Sequence, residues 1–170
     1  MATIASDKPG RVKPIAPDLY ERILAWGAIA LLVAVLTALA RGHAEWGRVP
    51  AAIWPHLLTI LVALVLTPVM LLRPRGDRMH RALGTIWIAA MFATALLSFR
   101  VQTIRPGHFG PIHLLSALVT VMAPYAWWLA RTHRIAQHRR VIRGLVTGAL
   151  LIAGFFTFPF NRLLGHWLFG

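Results

Sequence analysis

Five long runs of apolar residues, separated by short arginine-containing segments, dominate the pattern of this chain. They cover residues 23–40, 49–72, 82–99, 110–130 and 144–160. A helix needs roughly 20 apolar residues to cross the hydrocarbon core of a bilayer. Backbone polar groups in lipid must be hydrogen-bonded within their own segment, which favours helices. The pattern therefore predicts an all-α integral membrane protein with five transmembrane helices.

The chain divides into a short tail and a single bundle. Residues 1–21 are mostly polar, contain three prolines and carry three basic side chains, which is typical of a mobile basic cytoplasmic tail. Residues 22–170 form the predicted five-helix transmembrane domain, with no internal repeat in the sequence letters.

The composition supports a membrane protein and narrows its chemistry. Hydrophobic residues make up 58% of the chain and charged residues 14%, against about a quarter in soluble domains. The absence of cysteine excludes disulfides, thiolate metal sites and covalent haem attachment through a Cys-x-x-Cys-His motif. Any metal or haem site must therefore use other ligands.

The basic residues predict how the chain lies in the membrane. The side that holds the N-terminus carries thirteen of them: Lys8, Arg11, Lys13, Arg22, Arg73, Arg75, Arg78, Arg81, Arg131, Arg134, Arg139, Arg140 and Arg143. The other side carries five: Arg41, Arg48, Arg100, Arg105 and Arg162. Cytoplasmic loops are enriched in Lys and Arg, so we expect a cytoplasmic N-terminus and a C-terminus outside. The net charge of +13 fits contact with the lipid bilayer and its anionic headgroups, and not nucleic-acid binding.

Four histidines stand at or near the starts of four consecutive apolar runs. They are His56, His80, His113 and His138. In the predicted topology His56 and His113 lie on the outer side, and His80 and His138 lie on the cytoplasmic side. An ionisable residue at a membrane helix end is a candidate functional residue. Each pair comes from helices that run in the same direction, so it can meet at one membrane depth.

Paired histidines on facing helices can hold a haem iron from both axial sides. Haem also needs small residues beside it and cations for its propionates. Gly84 lies four residues after His80 on the same helix face, and Arg81 is adjacent. The predicted cofactor site therefore consists of the four histidines with Arg81 and Gly84.

This layout resembles the diheme transmembrane cytochromes of the cytochrome b561 type. The resemblance covers about residues 50–160, and the segment MHRALG at residues 79–84 is similar to the His-x-x-Leu-Gly turn of ligand helices in that family. It implies a four-helix core plus one helix, a haem b near each face, and electron transfer with a redox partner or respiratory complex. The resemblance would make His56 and His113 one ligand pair, and His80 and His138 the other. The chain also resembles small bacterial membrane proteins of unknown function with histidines at helix starts, which implies a bacterial inner membrane.

Other functions fit parts of the pattern. The histidines would equally suit a non-catalytic structural or accessory membrane protein, in which they cap helices and bond to carbonyl groups. The outer-side histidines could bind zinc or copper; these are His43, His56, His108, His113 and His166. The fifth run carries small residues that would pack closely in the bundle or in a homodimer, and Gly148 is expected to face another helix. The predicted spans contain no carboxylate, so an electron carrier or accessory protein is favoured over an enzyme or a proton pump.

Overall fold

The computed structural model describes residues 16–73, 75–100, 111–159 and 162–170, and every regular element in these ranges is helical. Four long helices are present: α1 (Leu19–Arg41), α2 (Ile53–Leu72), α3 (Arg78–Ser98) and α4 (Pro111–Arg131). Each is long and apolar enough to cross a membrane. Four of the five predicted spans are therefore confirmed in length and apolar character, as is the all-α membrane class.

The fifth predicted span corresponds to a helical stretch of residues 135–155, here called α5. It consists of an α-helix, Ile135–Gly144, a π-helical segment, Leu145–Ile152, and a last turn, Ala153–Phe155. Its first half carries Arg139, Arg140 and Arg143, and the stretch is not among the helices that have the character of a span. A fifth crossing therefore stays a prediction. A short terminal helix, α6 (Leu163–Phe169), follows, and the sequence pattern does not indicate it.

The helices form a ring in which α1 belongs to the core. Each long helix packs on the next one along the chain, α4 packs on α5, and the π-helical segment of α5 packs on α1. Ala25, Ala28 and Ala38 of α1 have no exposed surface. Small residues let helix backbones approach closely in a membrane. The resemblance implies a four-helix core with α1 outside it. In the structure α1 closes the ring, because it packs on both α2 and α5.

Helix α5 runs parallel to α1 and ends beside its middle. Arg139 contacts Glu21 at the start of α1, Leu151 lies against Gly27, and Gly154 lies against Leu31. The far end of α1 is covered by α6 and not by α5. Trp167 of α6 packs there against Gly42. We call the two ends of the bundle the Glu21 end and the Trp167 end.

Helix α1 begins three residues before the predicted domain boundary. The Asp18 side chain accepts a hydrogen bond from the backbone N–H of Glu21, and the Glu21 side chain accepts one from the backbone N–H of Asp18. This capping box satisfies two backbone donors that a helix start leaves free. Residues 19–21 are therefore helix and not tail, and the predicted mobile tail otherwise lies largely outside the described residues.

The prediction that Gly148 faces another helix is wrong within this chain. A Cβ atom at Gly148 would meet nothing within 4 Å. The close approaches of α1 and α5 occur instead at Gly27, where a Cβ would lie 3.2 Å from Leu151, and at Gly154 beside Leu31. The π-helical segment gives α5 a different residue period from the one assumed in the sequence pattern, and so changes which residues face α1.

Gly165→Ala should destabilise the docking of α6. The added Cβ would overlap the backbone carbonyl oxygen of Phe158, which cannot turn away as a side chain does. Overpacking of this kind costs about 1–3 kcal/mol. Thermal unfolding of the purified protein in detergent measures the effect, with Gly148→Ala as the matched control because its Cβ enters open space. Equal melting temperatures for the two variants would contradict this packing.

Candidate functional site

A buried cluster of charged side chains lies at the Glu21 end of the bundle. The Glu21 side chain is 1% exposed and is held by three arginines, Arg75, Arg139 and Arg143. The guanidinium of Arg139 binds both carboxylate oxygens, with Nε 2.6 Å from Oε1 and Nη2 2.8 Å from Oε2. Such paired charge-assisted hydrogen bonds are among the strongest in proteins.

The same cluster extends to Asp18, which pairs with Arg139 and Arg143. The backbone N–H of Glu21 and the Arg143 guanidinium lower the pKa of the Asp18 carboxyl. Three guanidinium groups therefore face two carboxylates, which leaves one net positive charge. The cluster joins the start of α1, the segment between α2 and α3, and the first half of α5.

Arg75 connects this cluster to His80 and His138. Its Nη2 atom donates to Glu21 Oε2 at 2.6 Å, and its charge acts on both imidazoles. The two imidazoles also lie within electrostatic range of each other. The two histidines that the sequence predicts as a pair on the cytoplasmic side thus both lie near Arg75 at the Glu21 end. Arg75 was not among the predicted site residues.

One ring nitrogen of His138 has a fixed role. Its Nδ1 atom lies 2.9 Å from the backbone carbonyl oxygen of Ala126 in α4. A carbonyl oxygen only accepts, so Nδ1 carries the proton and the neutral ring keeps its lone pair on Nε2. Metal-binding histidines usually donate their second nitrogen to a carbonyl or carboxylate in this way. His138 therefore has the tautomer of a ligand.

The backbone N–H of His80 is hydrogen-bonded, whereas the Nδ1 atom of its ring is not. Asp77 caps α3, since its Oδ1 accepts a hydrogen bond of 2.6 Å from the His80 backbone N–H. The His80 Nδ1 atom is buried and has no hydrogen-bond partner among the described residues. The same holds for the Nη1 atom of Arg75. Buried polar atoms are normally paired, so these two atoms are available to bond to a group held beside them.

The stability of the protein should fall in mildly acidic solution because of His138. Burial, together with the charge of Arg75, lowers the pKa of its imidazole, while the hydrogen bond to Ala126 opposes the shift. The unfolded chain then binds a proton more readily than the folded one. The stabilising contribution is complete above about pH 6.5, the ordinary value for histidine, and is lost as the pH falls through the lower folded pKa.

The melting temperature in detergent, followed from about pH 7.5 to about pH 5, checks this expectation, since the ordinary histidine pKa lies between these values. His138→Asn keeps a donor for the Ala126 carbonyl and removes the titrating group, so its melting temperature should change less with pH. His133→Ala serves as control, because His133 is exposed in the turn between α4 and α5. An unchanged pH dependence in His138→Asn would contradict the assignment.

His56 has the same tautomer as His138 but a different setting. Its Nδ1 atom lies 3.1 Å from the backbone carbonyl oxygen of Thr94 in α3, so Nε2 keeps the lone pair. The ring also lines a cavity between α1, α2, α5 and α6. His56 therefore sits between α3 and this cavity.

His113 is buried and packs on the end of α3. Its ring stacks on Phe99 with centroids 6.1 Å apart, and 6% of the residue is exposed. One turn later Ser116 donates to Ser98 at 2.9 Å, which ties α4 to α3. His56 and His113 thus both contact α3.

Two further predicted site residues face elsewhere. Arg81 is exposed and its Nη1 atom donates to the carbonyl oxygen of Gly76 at 3.3 Å. A Cβ at Gly84 would lie 3.3 Å from Met70 of α2, so this glycine lets α2 and α3 approach. Among the described residues, no side-chain hydrogen bond or ion pair joins Arg81 to His80 or His138. Arg75 occupies the place that the sequence assigned to Arg81.

Within the described ranges there is no group of three or more His, Cys, Asp or Glu side chains that could hold a metal ion. His108, part of the zinc or copper alternative, lies outside those ranges. Searches against protein-family models, curated proteins and solved structures returned no match. The candidate site therefore rests on its own geometry.

Sequence reasoning missed Glu21, although a signal was present. The pattern Asp18-x-x-Glu21 directly before an apolar run is a capping box. The apolar run begins at residue 23, so the predicted domain boundary places Glu21 in the tail. The helix starts at Leu19, so the carboxylate lies inside α1 and is buried.

Proposed function

We propose that this protein is a membrane electron-transfer protein that binds haem b between His80 and His138. The observation that carries the proposal is that two half-buried imidazoles lie within electrostatic range of each other, one of which has its Nδ1 proton committed to the Ala126 carbonyl oxygen. Two axial imidazoles are a common ligand set for a haem that carries electrons. The group would supply one-electron redox chemistry.

The residues around the pair fit such a group in their chemistry. Neutral imidazole is the form that binds a metal, and burial lowers the pKa of His138, which favours that form. The buried Nη1 atom of Arg75 offers a hydrogen bond to an anionic substituent such as a propionate. Its other nitrogen is held by Glu21, so the guanidinium is fixed in place.

We limit the proposal to this pair. The second pair that the resemblance implies would use His56 and His113, and the hydrogen bond of His56 to Thr94 ties its ring to α3. A haem at the Glu21 end alone cannot carry electrons across the whole bundle. The proposed function therefore includes a redox partner or respiratory complex that completes the path.

A second candidate is an accessory membrane protein without a cofactor. The observation that favours it is that two histidine side chains join neighbouring helices: His138 links α5 to α4, and His56 links α2 to α3. Bonds of this kind stabilise a bundle by about 1 kcal/mol each. In this function the histidines hold the helices in register.

A visible spectrum of the purified protein distinguishes the two candidates. After expression with ample haem precursor, we expect one haem per chain and a reduced-minus-oxidised spectrum of the bis-imidazole b type. A colourless protein under these conditions would refute haem binding and leave the accessory function.

We further propose that the chain crosses the membrane five times, with the N-terminus in the cytoplasm and the C-terminus outside. Two features support this topology. The arginine cluster lies at the Glu21 end, and α6 packs at the other end of α1, against Gly42. The excess of arginine marks the cytoplasmic side.

A reporter fused after Gly170 should therefore behave as periplasmic or extracellular. An enzyme that is active only in the periplasm and a fluorescent protein that folds only in the cytoplasm should give opposite signals. Fusions after Arg131, at the end of α4, should give the reverse pattern. Equal patterns at the two positions would show that residues 135–155 do not cross.

A further inference from the structure

Two arginines at the turn between α4 and α5 have guanidinium groups that lie over indole rings. The Cζ atom of Arg131 is 5.1 Å from the ring centroid of Trp127, and that of Arg134 is 4.9 Å from the centroid of Trp128. The Trp128 ring also stacks on Tyr125, with centroids 5.8 Å apart. A guanidinium over an aromatic face is held through its plane, and the N–H groups at its edge stay free to donate. We call these two contacts the Arg–Trp pairs.

The backbone of the turn fixes the position of the second pair. The Arg134 N–H donates to the carbonyl oxygen of Leu129 at 2.9 Å, and the His133 N–H donates to that of Ala130 at 3.3 Å. His133 has a φ of 58°, the left-handed conformation in which many helices end. The chain therefore turns back beside the last residues of α4, which brings Arg134 next to the Trp128 ring.

The charges of Arg131 and Arg134 are not neutralised by any described residue. Neither forms an ion pair, whereas Arg75, Arg139 and Arg143 at the same end of the bundle are bound to carboxylates. Both arginines are exposed, so an anion outside the protein can reach them. The Arg–Trp pairs therefore present two ordered positive charges at the Glu21 end.

We propose that the Arg–Trp pairs bind the headgroup of an anionic phospholipid. Helix α4 is long and apolar enough to span the membrane, and Arg131 is its last residue. Trp127 and Trp128 are each 41% exposed, and indole rings at the end of a span lie at the depth of the headgroups. A phosphodiester supplies oxygens for a guanidinium edge. Its net negative charge complements the two unpaired cations, whereas a zwitterionic headgroup brings an ammonium group of its own.

The order of the two guanidinium groups distinguishes them from other exposed arginines of this end. Arg78 and Arg140 are exposed, and they form no ion pair or ring contact with a described residue. Immobilising a long side chain opposes binding, and the indole faces hold Arg131 and Arg134 before a lipid arrives. We therefore expect anionic lipid to be retained at this turn and not evenly over the basic surface.

The proposal concerns lipid binding, and it stands whether or not the protein holds haem. The full-length protein is purified in a mild detergent that contains dioleoylphosphatidylglycerol and dioleoylphosphatidylcholine in equal amounts. Native mass spectrometry then counts the molecules of each lipid that stay bound to the protein. Because the acyl chains are identical, the ratio of the two bound lipids measures the preference for the headgroup alone.

The parent should retain phosphatidylglycerol over phosphatidylcholine by about fivefold or more, since a basic residue beside an anionic headgroup favours it by about this factor. The double variant Arg131→Gln, Arg134→Gln should lose most of the preference. Arg78→Gln, Arg140→Gln is the matched control, because it removes two charges at the same end, and it should keep most of the preference. Arg131→Lys, Arg134→Lys keeps the charges without the planar groups and should fall between the parent and the first variant.

Other results would overturn the proposal. Equal retention of the two lipids by the parent would show that the headgroup charge is not recognised. Equal losses in the two glutamine double variants would assign the preference to the overall positive charge. A lysine double variant that behaves like the parent would show that stacking on the indoles is not needed. Release of phosphatidylglycerol by inorganic phosphate, but not by chloride at the same ionic strength, would assign the Arg–Trp pairs to a free phosphate.

Discussion

Glu21→Gln should destabilise the protein by about 3 kcal/mol, the lower end of the cost of breaking a buried ion pair. The substitution keeps the shape of the side chain and removes its charge. Three guanidinium groups then face one another across a buried amide, with Asp18 as their remaining carboxylate. The lower end applies because Arg139 and Arg143 are 30% and 27% exposed and can regain some contact with solvent or headgroups.

Thermal unfolding in a mild detergent measures this loss. Glu45→Gln is the matched control: Glu45 also accepts a hydrogen bond, from Trp167, but it has no arginine partner in the described structure. The double variant Glu21→Gln, Arg139→Gln should recover part of the stability, since it removes one of the repelling charges. Equal melting temperatures for Glu21→Gln and the parent would mean that the charge of Glu21 does not stabilise the fold.

His138→Ala should abolish the bis-imidazole haem spectrum, and His80→Ala should do the same. An iron with two axial imidazoles loses its defining coordination when either is removed, so the effect on the spectrum is complete and not graded. His133→Ala and His43→Ala, two exposed histidines, should keep the parent spectrum. Free imidazole added to His138→Ala should restore it, because the substitution leaves a space of the right shape.

The opposite result with these variants would assign the haem to His56 and His113. If His56→Ala and His113→Ala remove the spectrum while His80→Ala and His138→Ala keep it, the pair at the Glu21 end is structural. In that case His138→Ala should still lower the melting temperature, since the bond to Ala126 contributes about 1 kcal/mol.

The helices could be predicted from the sequence because the signal for them is local. Each apolar run is read from consecutive residues, and the bounds of α1 to α4 differ from those runs by a few residues. The interruption of α5 could not be read in this way. A π-helical segment depends on packing against α1 and α4, which the letters of residues 145–152 do not contain.

The candidate site was predicted only in part, because its remaining members meet across long separations in the chain. His80 and His138 stand at helix starts, which a sequence reveals. Arg75 and Glu21 are 54 residues apart, and Glu21 and Arg139 are 118 apart. Nothing local distinguishes Arg75 from the other arginines of its loop. The partner of a buried charge becomes known only when the helices are assembled.

The long separation within this ion cluster has a consequence for biosynthesis. A chain enters the membrane from its N-terminus, so α1 with Glu21 is inserted long before Arg139 and Arg143 are made. Until then the carboxylate has Arg75 as its most buried partner. A helix made late in synthesis, α5, thus neutralises an acid in the first helix. A truncated chain that lacks α5 therefore keeps an exposed marker of incompleteness, a membrane helix with a poorly compensated carboxylate, by which a quality-control protease could distinguish it from the finished protein.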